Sequence, residues 1–361
     1  MARITLGKLA HSYLAKPRSE ADFAVKEIDH VWEDGGAYAL LGPSGCGKTT
    51  LLNIISGLLV PSRGRILFDD NDVTHLAPEQ RNIAQVFQFP VIYDTMTVAE
   101  NLAFPLANRR VPKDEIRKRV AEALDMLGLA AKADRKARRL TADEKQKISL
   151  GRGLVRYDVN AILFDEPLTV IDPHMKWQLR TQLKVLHRRF GHTMIYVTHD
   201  QTEALTFADK VVVMYEGEVV QIGTPAELFD EPAHTFVGYF IGSPGMNVVP
   251  CEVAGDRLRL GGKEIALQRS YPRLEGRTEA GIRPEFVRLA PPGAGLPIAV
   301  TKVEDIGRFK IVRAKLEGYS FDAVLPEGAE VPEGASAVID PARINIYRDS
   351  HLVRAQAGGG A

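Results

Sequence analysis

AYALLGPSGCGKTTLLNIISG, residues 37–57, is the stretch whose reading decides the fold. Its middle, Gly42, Pro43, Ser44, Gly45, Cys46, Gly47, Lys48 and Thr49, fits G-x-x-x-x-G-K-[ST] and directly follows the apolar run Ala37–Leu41, which reads as a buried strand. Glycines at 42, 45 and 47 let the main chain curl until several N–H groups point at one anion. A helix starting near Lys48 adds its positive end, with Leu51, Leu52, Ile54 and Ile55 as its apolar residues. In such a cradle Lys48 pairs with the outer phosphates of a nucleoside triphosphate. The Thr49 hydroxyl ligates Mg²⁺, and Thr50 closes the binding run. A Gly-rich strand-to-helix turn that binds nothing is the bland alternative.

The whole chain sets further bounds. At 361 residues it can form two domains, each with its own core. Lys plus Arg (46) equals Asp plus Glu (46), so no global field draws it to nucleic acid or anionic lipid. The two cysteines, Cys46 and Cys251, fit a reducing compartment and make no disulfide scaffold. The clearest apolar runs, 194–197 and 211–215, are strand-length, and the start lacks a charged-then-apolar leader. These features predict a soluble chain, cytoplasmic by default.

Outward from the phosphate loop, short strands precede it and another, over 65–68, comes after it. Ile116, Val120, Leu124 and Leu127 then recur at helical spacing, with Gly128 where a C-terminal cap belongs. This predicts a helical subdomain over about 89–155. Next comes a strand over 161–164, then a helix carrying Leu179, Leu183, Leu186 and Phe190 and ending at Gly191, then a strand over 193–197. Strand, helix, strand implies parallel pairing, with the chemistry beyond the strands' C-terminal ends. Asp165, Glu166 and His199 fall there.

Paired acids at the end of the apolar strand ILF need partners. Asp165 can hold Mg²⁺, and Glu166 can polarise the water that attacks a γ-phosphate. The competing reading has both acids capping the next helix. After Pro232 the texture changes to short alternating segments, 257–260, 281–289, 299–305, 310–316 and 319–325, separated by Gly, Pro and Asp turns. That pattern predicts a small antiparallel barrel or sandwich. The Gly-rich end has little to bury, so a disordered tail is expected over 351–361.

With the phosphate loop, LFDEP, Gln88 in VFQFP and His199 in YVTHD, the sequence resembles the nucleotide-binding subunit of an ATP-binding-cassette transporter. It is similar in particular to the carbohydrate-importer branch, which includes the maltose and glycerol-phosphate uptake ATPases. GTPAELFDEPAHTFVGYFIGSPGMNVVP resembles that branch's junction to a regulatory domain, and GIRPEF with DPARINIY resembles its C-terminal barrel. The resemblance implies an α/β P-loop NTPase core with a helical subdomain over 1–235, then an all-β, OB-like regulatory barrel over 236–350. ATP and Mg²⁺ are the implied cofactors.

Tyr13 matches the aromatic that stacks on adenine, with Phe23 as a rival because residues 14–22 look longer than the family pattern. Gln88 matches the residue that senses Mg²⁺ and the attacking water. Residues 89–93 would help form the groove for a helix of the membrane subunit; core packing is the plainer reading of that stretch. His199 matches the γ-phosphate contact beside Glu166, and Asp172 matches the aspartate that crosses to the opposite subunit. The implied partners are membrane-spanning permease subunits, a second ATPase subunit and, indirectly, a periplasmic or extracellular solute-binding protein, with no nucleic acid. The implied location is the cytoplasmic face of the inner membrane, as a peripheral subunit.

One motif departs from the family. Where Leu-Ser-Gly-Gly-Gln is expected, the chain has Leu140, Thr141, Ala142, Asp143, Glu144. Thr141 keeps the hydroxyl that would reach the partner's nucleotide. Asp143 puts a carboxylate where an anion should dock, and like charges about 4 Å apart cost about 1 kcal/mol in water and about 4 in a partly screened site. The same residues also read as an [ST]-x-x-[DE] capping box that needs no nucleotide. Both readings together favour a heterodimeric ATPase pair, with a homodimer as the alternative. The basic cluster Lys132, Arg135, Lys136, Arg138, Arg139 reads as a solvated helix face.

Two rival functions carry less of the sequence. Cassette proteins acting on ribosomes or DNA usually carry, by family resemblance, paired cassettes or long coiled coils, whereas this sequence has one phosphate loop, no long heptads and an expected terminal barrel. A non-hydrolysing ATP sensor would not need both Glu166 and His199.

Overall fold

All of Ala37–Leu41 is buried, and the strand lies inside a six-stranded sheet. The computed structural model describes residues 2–356 of the chain. In sheet order the strands are Glu218–Gly223, Lys210–Tyr215, Ala37–Leu41, Met194–Thr198, Ile162–Asp165 and Ala84–Val86. All pair in parallel except the first, which returns antiparallel on Lys210–Tyr215. Parallel strands covered on both faces are built mainly of apolar residues, as 37–41, 194–197 and 162–164 are. The helix Pro173–Phe190 makes the crossover between Ile162–Asp165 and Met194–Thr198 and ends at Gly191, whose φ is +60°.

A second, antiparallel sheet orders Val25–Trp32, Ile4–His11, Arg63–Phe68 and Asn71–Asp72. The helix Lys48–Ser56 shares a core with both sheets, through Leu51, Ile54 and Ile55 against Trp32, Leu40, Ile66, Val197 and Met214. Three further helices, Val98–Asn108, Lys113–Leu127 and Ala142–Leu154, occupy the region read as a helical subdomain. Lys113–Leu127 buries Val120, Leu124 and Leu127 and ends at Gly128 (φ +64°), as its spacing requires.

Arg81 holds the far end of the phosphate-loop helix. It is only 1% exposed. Its guanidinium donates to the carbonyl oxygens of Ile54 and Ile55 at 2.8 and 2.9 Å, Thr74 at 3.0 Å and Leu76 at 2.9 Å. The cation thus meets the negative end of the helix dipole and satisfies carbonyls that the helix leaves open. Burial pushes its pKa below the usual arginine value.

The chain divides into two units, Met1–Pro225 and Ala226–Ala361. The boundary therefore precedes the one expected at 235. Within the second unit, buried Arg283 donates to the carbonyls of Phe229 (2.9 Å), Gly238 (2.8 Å), Leu228 (3.3 Å) and Ile241. Tyr347 adds a bond to the carbonyl of Pro232 at 2.9 Å, so residues 228–241 are anchored to the second unit.

The second unit is β-rich around a core of Leu258, Ile282, Val312, Phe321 and Ile346. Its strands pair as four separate sheets, ordered Asn247–Pro250, Thr278–Ile282, Ile344–Arg348, His351–Leu352; Glu252–Leu260, Lys263–Tyr271; Val287–Ala290, Ser336–Ile339, Leu296–Pro297; and Ala299–Asp305, Phe309–Leu316, Tyr319–Pro326. No closed ring of paired strands forms among the described residues. The segment read as continuous over 281–289 is split by the 3₁₀ turn Pro284–Phe286. Part of the expected disordered tail is ordered: His351–Leu352 pairs with Arg348 and Tyr347, and the Gln356 amide donates to the Ser270 carbonyl at 2.8 Å. Residues 357–361 lie outside the described residues. No helix of the described residues is long and apolar enough to cross a membrane.

Arg81→Met keeps the side-chain bulk but removes the donor to four carbonyls, of which that of Ile54 keeps the Gly57 N–H at 3.2 Å while those of Ile55, Thr74 and Leu76 lose Arg81. It is expected to lower the stability of the first unit by about 3 kcal/mol. Urea denaturation followed by tryptophan fluorescence reads this directly, because Trp32 and Trp177 both lie in that unit. An unchanged midpoint contradicts the capping role.

Candidate functional site

The phosphate loop leaves the central strand with no room for side chains at two of its glycines. A Cβ on Gly42 would stand 2.2 Å from the Met214 carbonyl oxygen, and one on Gly47 would stand 2.3 Å from that of Ala24. Gly45 has open space, but its φ of +82° and that of +98° at Gly47 lie in the left-handed region. Gly47 caps the helix Lys48–Ser56. Lys48 is buried, and its Nζ donates to the carbonyls of Gly42 and Pro43, each at 2.8 Å. The loop is thus wound around its own cation. Cys46 packs inside it, and burial pushes the thiol pKa up against the opposing pull of Lys48.

Sheet register brings the other candidates to the same edge. Leu41 pairs with Thr198, Val197 with Asp165, and Phe164 with Val86. Because these strands run parallel, the loops beyond them, with Gly42, His199, Glu166 and Gln88, emerge together. Thr49 Oγ1 donates to Asp165 Oδ1 at 3.2 Å. Burial raises the Asp165 pKa; the Thr49 bond opposes this and the neighbouring Glu166 charge adds to it.

Glu166 Oε2 lies 3.1 Å from His199 Nδ1. The backbone of Glu166 has φ +46°, where a residue with a Cβ costs about 1–2 kcal/mol. Its N–H donates to the Val197 carbonyl at 3.0 Å, and Thr169 Oγ1 donates to its carbonyl at 3.1 Å. Surrounding structure therefore holds the carboxylate in a strained position, as reactive positions often require.

The remaining candidates are placed less tightly. Gln88 is half-buried just beyond Ala84–Val86. Tyr13 is 66% exposed, with its hydroxyl 3.1 Å from Thr50 Oγ1 and its ring T-shaped against His11 at 4.8 Å, so an exposed ring stands beside the phosphate-loop helix. Phe23 is half-buried with the Arg63 guanidinium 5.0 Å from its ring centre, which makes Tyr13 the more available ring. Asp172 is exposed and caps the helix Pro173–Phe190 through the His174 N–H at 2.9 Å. Thr141 forms the anticipated capping box, accepting from the Glu144 N–H at 3.3 Å while its own N–H donates to Glu144 Oε2 at 3.0 Å. Among the described residues no hydrogen bond or ion pair joins Thr141 or Asp172 to the phosphate loop.

Asp143 pairs with Lys147 at 3.4 Å, and its other oxygen is buried without a partner. Residues 89–93 are not core: Phe89 is 71% exposed, and Val91 and Tyr93 are exposed beside a groove of about 230 Å³ that Val91, Pro105 and Arg152 help line. The basic cluster is not a helix face. Lys132, Arg138 and Arg139 fall on the short turns Ala130–Lys132 and Ala137–Arg139, and Arg135 and Lys136 on the segment between them; Lys132 pairs with Glu144 and Lys136 with Glu100 at 3.4 Å. Sequence reading missed the buried Glu203, which accepts from Thr198 Oγ1 at 2.8 Å directly before His199; no hydrophobic period marks it.

The arrangement combines a glycine loop wound around Lys48 at a helix start, a carboxylate paired with an imidazole, and two hard oxygen donors in contact. Thr49 and Asp165 are donors of the kind Mg²⁺ takes. No cluster of three or more His, Cys, Asp or Glu side chains suited to a metal occurs among the described residues.

Residues 25–169 match the family model described as ABC transporter. The chain is 40% identical over 352 residues to the sn-glycerol-3-phosphate import ATP-binding protein UgpC of Paracoccus denitrificans, covering 96% of this chain and 97% of that protein. It is 40% identical to the trehalose/maltose import ATP-binding protein MalK of Thermococcus litoralis, covering 90% and 93% respectively. Among solved structures, cbiO1 from Clostridium perfringens, part of the ABC transporter complex cbiONQ, superposes with a TM-score of 0.57 at 31% identity. That match covers 63% of this chain and 90% of cbiO1.

The loop glycines are expected to differ in cost. Gly47→Ala meets both a backbone clash and a forbidden φ, and should weaken ATP binding at least 100-fold by equilibrium titration. Gly45→Ala meets only the φ penalty, about 1–2 kcal/mol, and should lose roughly tenfold. Equal losses at the two positions contradict this geometry.

Proposed function

This chain belongs to the ABC transporter family and is an ATP-binding ATPase, and from that premise we propose that it energises solute import through separate membrane-spanning permease subunits. The solute is of carbohydrate or polyol type: a sugar, glycerol or glycerol phosphate. Relatives named for sn-glycerol 3-phosphate and for trehalose/maltose import, similar over almost the whole chain, support that class. The protein acts at the cytoplasmic face of the inner membrane as a peripheral subunit. A solute-binding protein serves it indirectly, and nucleic acid has no part. The second unit serves as an OB-like regulatory domain.

The observation that carries the reading is the Glu166–His199 contact of 3.1 Å at the sheet edge that also bears Lys48. Lys48 and the loop amides bind the triphosphate, and Tyr13 stacks on the base. Glu166 polarises the attacking water, His199 donates to the γ-phosphate, and Gln88 orients the same water. Thr49, Asp165 and Gln88 would hold Mg²⁺, which would supply charge neutralisation on the phosphate oxygens.

Two chains close around each nucleotide, with Thr141 and Asp172 facing the opposite subunit. Closure is favoured by ATP only if ATP binds the closed state more tightly, which contacts from both subunits provide. Asp143 at the altered signature opposes an incoming anion, so a pair with a different ATPase subunit is the favoured assembly. The Asp143–Lys147 contact of 3.4 Å favours the homodimer instead, because it neutralises the acid in place.

Glu166→Gln is expected to retain ATP while phosphate release falls at least 100-fold. Lys48→Ala should weaken ATP binding itself. Normal steady-state turnover in the Gln variant removes Glu166 from the general-base role. Purified chain that alone forms an ATP-dependent dimer with two equally fast sites rules out the heterodimer. Isolating the intact complex identifies the permease companions and narrows the solute.

A further inference from the structure

We infer that Glu203 is a positioning residue that holds the His199 turn and the start of the Asp172 helix in one frame; this rests on the ATPase reading above. Glu203 is 3% exposed on the helix Gln201–Phe207. A carboxylate there needs partners. One oxygen, Oε2, accepts from Thr198 Oγ1 at 2.8 Å and from Tyr196 OH at 3.1 Å. The other, Oε1, faces Lys176 Nζ at 3.5 Å.

Those partners belong to two different arms of the site. Tyr196 and Thr198 lie on Met194–Thr198, the strand that delivers His199. Thr198 Oγ1 also accepts the Asp200 N–H at 3.0 Å, and Asp200 in turn caps Gln201–Phe207 through the Thr202 and Glu203 N–H groups at 2.7 and 3.2 Å. His199 is therefore set in a turn fixed on both sides. Lys176 lies in the first turn of Pro173–Phe190, and its N–H donates to the Asp172 carbonyl at 2.9 Å. A single carboxylate thus spans from the neighbour of His199 to the turn that presents Asp172.

A role in stability alone does not account for this arrangement. A buried ion pair is often no more stabilising than well-packed apolar side chains, whereas the partners of Glu203 converge on it from both arms of the site. If the His199 ring drifts from Glu166 by even about 1 Å, the positioning that hydrolysis needs is lost while the phosphate loop still binds nucleotide.

Glu203→Gln keeps the volume and one acceptor oxygen but removes the charge that Lys176 meets. In the full-length chain, kcat for phosphate release should fall about tenfold. The ATP dissociation constant should stay within about twofold and the melting temperature within a few degrees. Thr198→Val should reproduce the kcat loss, and Thr198→Ser, which restores the hydroxyl, should not. Wild-type kcat in Glu203→Gln overturns the inference, as does a parallel loss of kcat, binding and melting temperature. If Glu203→Gln does not fold, the Thr198 pair decides: Thr198→Val with wild-type kcat overturns it. Failure of the underlying reading looks different, since then the wild type releases no phosphate or Glu166→Gln turns over normally.

Discussion

Residue 42 has no space for a side chain, because the Met214 carbonyl oxygen sits 2.2 Å from where its Cβ would be. That constraint joins the phosphate loop to the neighbouring strand Lys210–Tyr215 and fixes where the chain turns out of the sheet. Everything else at the site is measured from that exit. The loop curls over Lys48, the helix Lys48–Ser56 begins behind it, and Arg81 closes the far end of that helix with a buried cation. Parallel register then sets Asp165 beside Thr49 and His199 beside Glu166 without any long-range loop having to find its place.

Electrostatics at this edge oppose one another by design of the sheet. Two adjacent acids stand at the end of a strand whose other residues are buried, and burial pushes the Asp165 carboxyl toward its protonated form. The tension is relieved locally by Thr49, His199 and the cation within the loop. At the altered signature the chain uses another local remedy. Thr141 and Glu144 satisfy the helix start, and Lys147 meets the Asp143 carboxylate one turn later. A helix N-terminus that binds its own side chains is well capped, yet it presents an acid where an anion would approach.

Features governed by local chemistry could be read directly from the sequence. The G-x-x-x-x-G-K-T run, the glycine caps at 128 and 191, the Thr141 capping box and the buried strands each depend on neighbours within one turn or one strand. The features that escaped reading depend on distant partners. Arg81 and Arg283 look like ordinary surface cations until backbone carbonyls from other elements surround them, and Glu203 looks like a solvated helix acid. Ala84–Val86 is a three-residue strand, too short to carry a period. The anchoring of residues 228–241 by Arg283 and Tyr347 joins segments 42 to 115 residues apart, and His351–Leu352 is a strand of two residues, so neither carries a local signal. The OB-like reading of the second unit rests on resemblance, and its strand pairings form separate sheets.

The account depends on a triphosphate seated in the loop around Lys48 with Glu166 and His199 at its outer end. An experimental structure of the full-length chain with a nonhydrolysable ATP analogue and Mg²⁺ tests this most directly. The account predicts the β- and γ-phosphates against the amides of residues 45–49, with Lys48 Nζ turned onto them and the Glu166–His199 pair beside the γ-phosphate. A nucleotide bound elsewhere, or a phosphate loop left closed on its own carbonyls at saturating analogue, contradicts it.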